Sequence, residues 1–255
     1  MWITATFAGA GIGFVLGLTG MGGGALALPF LLWVLGLPPV TAVGTDLVFT
    51  TVTRLVGSIQ HRRQKTVWLR PIFYLSLGSL PGAWLSSWWV LRMADPQWVE
   101  VIFPRLLGLT LSLVGLYILA RSMGWMRARA EGRERWPSAR AAWLIGFVGG
   151  LVVGATSVGG GVLISAAFLL WYHVPPAHLV GLDVLHGALL SGTAAIPYTL
   201  HNQVAWHVLP ALWLGALPGV WLGARLVVHW PTQRLRALLG LIIVAAGVRL
   251  LWAAG

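Results

Sequence analysis

The chain repeats itself. Slid along its own length until Gly17 meets Gly154, GLTGMGGGAL (Gly17–Leu26) falls on GATSVGGGVL (Gly154–Leu163). The same displacement, without a gap, sets Pro38-Pro39 on Pro175-Pro176, Val43-Gly44 on Val180-Gly181 and Asp46 on Asp183. It continues through Gly78, Leu80-Pro81-Gly82 and Trp84-Leu85, which fall on Gly215, Leu217-Pro218-Gly219 and Trp221-Leu222. Shared hydrophobicity does not hold an ungapped register over roughly seventy positions. Two copies of one unit, 1–120 and 141–255, therefore flank a basic segment at 121–140, and the fold of one copy is expected in the other.

The solvent of this fold is lipid. Only 9% of the residues are charged and 58% are hydrophobic, with a mean hydropathy of +0.82. Soluble domains carry about 25% charged residues, and so few charges cannot cover a water-facing surface. Sixteen Trp fit a membrane protein, because indole rings favour the membrane–water interface. The net charge of +11 would suggest nucleic acid in a soluble chain, but these basic residues sit in short loops between apolar runs. There they set topology and meet anionic lipid, so no nucleic-acid partner is expected. The absence of Cys excludes disulfides, thiolate metal sites and cysteine relays. Residues 1–20 lack the basic start of a cleaved signal and read as the first structural segment.

Each copy holds four apolar stretches, near 4–36, 41–60, 67–91 and 100–120, then 141–173, 178–200, 208–228 and 235–253. The last three of each are long enough to span, a crossing needing about twenty residues. The first is cut by Gly20-Met21-Gly22-Gly23-Gly24 and by Gly159-Gly160-Gly161, where three consecutive glycines disfavour a continuous helix. It is either one kinked span or a re-entrant pair of half-helices. Charge favours the second. Three spans per copy put the loops near 61–70, 121–140 and 225–236 in the cytoplasm, with thirteen of the seventeen Lys and Arg. Eight full spans would move Arg225, Arg234 and Arg236 outside. His61-Arg62-Arg63-Gln64-Lys65 also matches the uncharged Tyr198-Thr199-Leu200-His201-Asn202, as expected if the copies face opposite ways. The expected fold is an all-α polytopic membrane protein of two inverted pseudo-symmetric repeats, each with three spans and one glycine-broken segment.

At these glycines the sequence resembles the TauE/SafE family of sulfite and organosulfonate exporters, also called the toluene sulfonate uptake permease family. The likeness is carried by GLTGMGGGALALPFLL with PPVTAVGTDL (Gly17–Leu32, Pro38–Leu47), and by VGGGVL with VGLDVLHG (Val158–Leu163, Val180–Gly187). Gly78–Ala83 and Gly215–Val220 fit as well, so it covers nearly the whole chain. The resemblance implies a transporter of small anions, often sulfur oxyanions or sulfonates. The chain departs from the wider family at Asp46 and Asp183, where Ser or another small polar residue is more usual.

The glycine breaks are the first candidate site. A helix interrupted in mid-membrane frees backbone N–H groups, and a half-helix starting beyond the break points them and its positive dipole end at the gap. Two such ends would form an anion cradle from Gly22, Gly23, Gly24 and Gly159, Gly160, Gly161, with hydroxyl donors from Thr19, Thr156 and Ser157. The alternative is that these small residues only allow close helix packing.

The aspartates are the second. Asp46 and Asp183 lie seven residues beyond a Pro-Pro pair, about 10 Å along a helix starting there. A carboxyl at that depth costs several kcal/mol unless paired or protonated, so proton coupling, cation binding or donation to an oxyanion is expected; capping a broken helix is the alternative. A protonated Asp tolerates an anion that an ionised one repels, which links proton and anion movement.

Arg54, two turns beyond Asp46 on the same face, suits neutralisation of Asp46 or contact with the anion, though snorkelling to the headgroups is also open to it. His186, at i+3 from Asp183, suits a proton relay or a hydrogen-bonded core position. Asp183 and His186 lack a third ligand for a metal.

Together these residues point to a secondary transporter of a small sulfur-containing anion in a bacterial inner membrane, proton-coupled and not an enzyme. It needs no cofactor and has membrane lipid as its other partner. No G-x-x-x-x-G-K-[ST] loop is present to bind ATP. A passive anion channel, or a carrier of another small solute using the aspartate pair, is the rival.

Overall fold

The computed structural model describes residues 2–19, 24–63, 69–93, 98–125, 137–159, 164, 167–168, 176–226 and 232–253, and all regular structure among them is helical. The first copy contributes α1 (Trp2–Thr19), α2 (Gly24–Trp33), α3 (Pro39–Arg63) and α4 (Leu69–Arg92). A π-helical turn, Trp98–Ile102, then leads into α5 (Phe103–Ser122). The second contributes α6 (Ala139–Thr156), α7 (Pro176–Leu200), α8 (Leu209–Leu226) and α9 (Thr232–Ala253). Ile164, Ala167 and Phe168, between α6 and α7, are helical and buried. The basic run Arg127–Arg135 lies outside the described residues.

Helix starts follow local chemistry. Pro39 opens α3 behind Pro38, in the first turn where a missing N–H costs nothing, and Pro104 does the same for α5. Ser138 caps α6, its Oγ accepting from the Ala141 amide at 3.3 Å. The far end of α6 stops at Ser157, which takes the left-handed conformation at φ 62°. There the Ser157 amide still donates to the Val153 carbonyl at 2.7 Å.

The surface is apolar and the interior polar at its centre, the reverse of a water-soluble protein. Trp252 is 81% and Phe7 76% exposed, while Asp46 is 0% exposed. Twenty-residue α5 and eighteen-residue α6 have mean hydropathies of 1.7 and 1.5. At 1.5 Å per residue they are about 27–30 Å long, the thickness of a hydrocarbon core. Guanidinium–indole stacks sit at the ends of α4 and α8: Arg92 lies 3.9 Å from the Trp88 ring and Arg225 3.5 Å from Trp221.

Without water to squeeze out, helices in lipid associate through small residues that let backbones touch. Gly9 and Gly13 of α1 meet the backbone of Leu212 and Ala216 on α8, so closely that a Cβ at either would overlap it. Gly146 and Gly150 of α6 meet Leu75 and Ser79 on α4 in the same way. The repeat register carries the first pair of contacts onto the second: Gly9 falls on Gly146 and Gly13 on Gly150, Leu75 on Leu212 and Ser79 on Ala216. The residue numbers rise together across both helix pairs, so α1 runs parallel to α8 and α4 to α6. Two other pairs are antiparallel. Gly108 and Gly115 of α5 face Gly247 and Gly240 of α9, respectively. Thr51 of α3 faces Ser191 of α7, and Thr41 faces Gln203 beyond the end of α7. α3 and α7 themselves begin and end at matching positions of the repeat, Pro39 with Pro176 and Arg63 with Leu200.

Candidate functional site

The polar residues of the interior gather where α3 crosses α7. Most of the hydroxyls there return to their own helix. Thr45 Oγ1 donates to the Thr41 carbonyl at 2.6 Å, Thr50 Oγ1 to Asp46 at 2.8 Å and Thr53 Oγ1 to Phe49 at 3.0 Å. Such bonds satisfy the hydroxyl in an apolar medium without a second helix. Others tie α3 to the segment that follows α7: Thr41 Oγ1 donates to Gln203 Oε1 at 2.7 Å, and the Ala205 amide donates to Thr45 Oγ1 at 2.9 Å.

Asp46 and Asp183 are both buried, and their partners differ. Ser157 Oγ, in the left-handed turn that ends α6, donates to Asp46 Oδ2. Asp46 Oδ1 has no partner among the described residues. Asp183 faces a cation instead. Arg54 reaches across from α3 to put Nη1 3.8 Å from Asp183 Oδ1, and the same nitrogen donates to the Asp183 carbonyl at 3.4 Å. Gly187, one turn beyond Asp183, makes this possible: a Cβ there would overlap Nη1. His186 lies on the same helix, with Nε2 2.8 Å from Ser79 Oγ on α4. Asp183 Oδ1 and Arg54 Nε join Asp46 Oδ1 as buried polar atoms with no hydrogen-bond partner among the described residues. Three such atoms lie near one crossing, where unpartnered polar groups are costly in a helix bundle.

Of the glycine-break residues, Gly22, Gly23, Gly160 and Gly161 lie outside the described residues. Thr19 ends α1 and Gly24 begins α2. Gly159 has φ 95°, a conformation that suits glycine. Thr156, the last residue of α6, spends its hydroxyl locally, donating to the Val152 carbonyl at 2.7 Å and the Val158 carbonyl at 3.1 Å. The hydroxyls of Thr156 and Ser157 thus both have protein acceptors, and the break brings Ser157 to Asp46. The α6 terminus is tied further by the Gly154 carbonyl, which accepts from Tyr198 Oη and Ser87 Oγ, each at 3.0 Å.

Arg54 is found against Asp183 rather than at the headgroups, its side chain 16% exposed. Sequence reasoning did not find Ser79 as the partner of His186, nor Gly187 as the opening for Arg54. The first copy has Thr50 where the second has Gly187, and that departure from the repeat was the available signal.

Apolar outside, with ionisable side chains enclosed where two long helices cross, this is the build of a membrane transporter. The chain belongs to the sulfite exporter TauE/SafE family, whose family model matches residues 5–250. The probable membrane transporter protein YjnA of Bacillus subtilis is 35% identical over 256 residues, covering 98% of this chain and 100% of that protein. A probable membrane transporter protein of Xylella fastidiosa is 28% identical, over 94% of this chain and 91% of that protein. The probable membrane transporter protein YunE of Bacillus subtilis is 25% identical, over 94% and 93%. No solved structure matches the chain.

Proposed function

We propose that the chain is a proton-coupled secondary transporter of a small sulfur-containing anion, sulfite or a sulfonate, set in a bacterial inner membrane with several crossings. The observation that carries this reading is the enclosed group of Asp46, Asp183, Arg54 and His186 at the α3–α7 crossing. A carboxyl in such a place exists to bind something or to change charge. Membership of the sulfite exporter family supports the choice of substrate class.

The units 1–120 and 141–255 are the two moving halves, joined by a cytoplasmic linker at 121–140. The antiparallel run of α3 against α7 supports an inverted relation between them, since equivalent helices of parallel repeats run the same way. An odd number of crossings per unit then follows, with α2 as the returning half of a re-entrant segment. The anion sits between the glycine breaks, held by backbone N–H groups of Gly22–Gly24 and Gly159–Gly161 with Thr19 beside them. Rocking of one unit against the other opens the site to each side in turn.

Uptake of labelled sulfite, sulfate and a short alkyl sulfonate into proteoliposomes, under pH gradients of both polarities, tests it. Accumulation of one anion driven by the gradient, and lost in Asp46→Asn, is the expected result. No accumulation of any of the three under either polarity sinks the reading. A second reading is favoured by the end of α6: its carbonyl-rich terminus lies beside Asp46, an arrangement suited to a coupling cation other than a proton. Accumulation driven by a sodium gradient at constant pH would select it.

A further inference from the structure

Repeat symmetry treats Asp46 and Asp183 as equals, and their surroundings do not. Arg54 lies against Asp183, with Nη1 3.8 Å from Oδ1 and a second contact to the Asp183 carbonyl at 3.4 Å. The guanidinium occupies space that only Gly187 leaves open. No image of this arrangement exists at Asp46. The position equivalent to Arg54 is Ser191, whose hydroxyl donates to the Gly187 carbonyl at 2.7 Å, and the position equivalent to Gly187 is Thr50. Among the described residues Asp46 has a neutral hydroxyl on Oδ2 and no partner on Oδ1.

α4, packed on α7, carries Arg70 and Arg92 at its two ends and Tyr74 one turn from its start. α2 carries no ionisable residue. The sole ionisable residue of α8 is Arg225, stacked on Trp221 at the helix end. Arg140 stands at the opposite end of α6 from Ser157. Of the charges on α3 and α7 near the crossing, Arg54 extends its field to Asp46 and His186 but makes its contact with Asp183. His186 is engaged with Ser79.

We infer that the two carboxyls divide the work: Asp183 is the anchor for Arg54, a built-in counter-cation, and Asp46 alone takes up and releases the coupling proton. An ionised carboxyl with no cation in contact is the costly state in this interior, and a proton removes that cost. Ser157 donates to Oδ2, so the proton resides on the free oxygen, Oδ1, and leaves from it to water when the site opens. One proton moves per cycle. A monovalent anion accompanied by that single proton crosses without net charge. This rests on the proton-coupled reading above and deepens it by fixing the carrier and the stoichiometry.

The test needs no substrate. Dicyclohexylcarbodiimide adds to protonated carboxyls in apolar surroundings, and peptide mass spectrometry locates the adduct in protein reconstituted into liposomes. The expected result is labelling of Asp46 and none of Asp183 in the native chain, with Asp183 labelling appearing in Arg54→Gln. Should Arg54→Gln fail to fold, Gly187→Ala displaces the guanidinium and serves the same end. Labelling of Asp183 in the native chain, of neither carboxyl, or of Asp46 alone after Arg54 is removed or displaced overturns the inference. A chain that labels as expected but accumulates no sulfite or sulfonate leaves the inference standing and overturns the substrate assignment.

Discussion

Asp46 and Asp183 hold equivalent positions on α3 and α7, at matching points of the repeat, and around them the two copies part company. One turn on, Phe49 in the first copy corresponds to His186 in the second; across the helix interface, Ala216 corresponds to Ser79. The two residues of the His186–Ser79 hydrogen bond thus answer to the apolar Phe49 and Ala216. Thr50 answers to Gly187 and Ser191 to Arg54. The packing of α1 on α8 and of α6 on α4 shows no such divergence. Gly9 and Gly13 match Gly146 and Gly150, and their backbone contacts match too. In these two helix pairs symmetry is kept in the residues that set helix spacing, and around the aspartates it is given up in the residues that set charge. Two similar halves must still fit one another, whereas the proposed coupling site, with one charge to move, needs only one half to carry it.

The largest effect that separates the halves is expected from the aspartates. Asp183→Asn leaves the Arg54 guanidinium enclosed without its counter-charge, and removing one partner of a buried pair costs about 3–5 kcal/mol. Asp46→Asn removes no ion pair; the amide oxygen still accepts from Ser157, and the loss is about 1 kcal/mol or less. Denaturation in detergent, followed by tryptophan fluorescence, reads both. Equal losses would mean that Arg54 does not stabilise Asp183 in particular.

Packing changes should erase the difference. Gly13→Ala on α1 and Gly150→Ala on α6 each drive a methyl group into a neighbouring backbone, at Ala216 and Ser79. Overpacking of this kind costs about 1–3 kcal/mol, and the two variants should lose stability alike. A large disparity would show that the matched contacts carry unequal weight, and that symmetry of packing is only geometric. Gly187→Ala belongs to the same range for a different reason, because it displaces a side chain and not a backbone. Combined with Asp183→Asn it should add little, as the contact it disturbs is already gone.

Much of this is legible in the residues alone. The cost of a carboxyl in an apolar run singles out Asp46 and Asp183, and triple glycines mark where the first stretch of each copy breaks. α1 ends at Thr19 and α6 at Thr156, on the near side of those glycines. What is not legible is which helix faces which. Arg54 sits two turns beyond Asp46, and periodicity along one helix offers Asp46 as its neighbour. Its contact with Asp183 depends on the antiparallel register of α3 and α7, which no local pattern encodes. Ser79 is similar: one hydroxyl among the small residues of α4 carries no mark of the histidine it meets. The spacing of Gly9 with Gly13 and of Gly146 with Gly150 is a small-x-x-x-small pattern, open to view beside the more conspicuous triple glycines.

The smallest expected effect is the most specific to one half. Ser79→Ala removes the partner of His186 Nε2 and leaves a buried ring nitrogen unsatisfied, a loss of about 1–3 kcal/mol, toward the lower end where the ring can turn to another acceptor or donor. Its counterpart, Ala216→Ser, places a hydroxyl at the matching point of α8, where the helix backbone four residues earlier can take it up, at about 0.5 kcal/mol or less. The pair forms a control that a general sensitivity of the α4 and α8 positions cannot imitate. If the His186–Ser79 bond only fills a core position, Ser79→Ala lowers the unfolding midpoint and leaves carbodiimide labelling of Asp46 untouched. If His186 instead passes protons toward Asp46, the same substitution slows the labelling of Asp46 as well, and the second copy would then contribute to coupling through its histidine rather than its carboxyl.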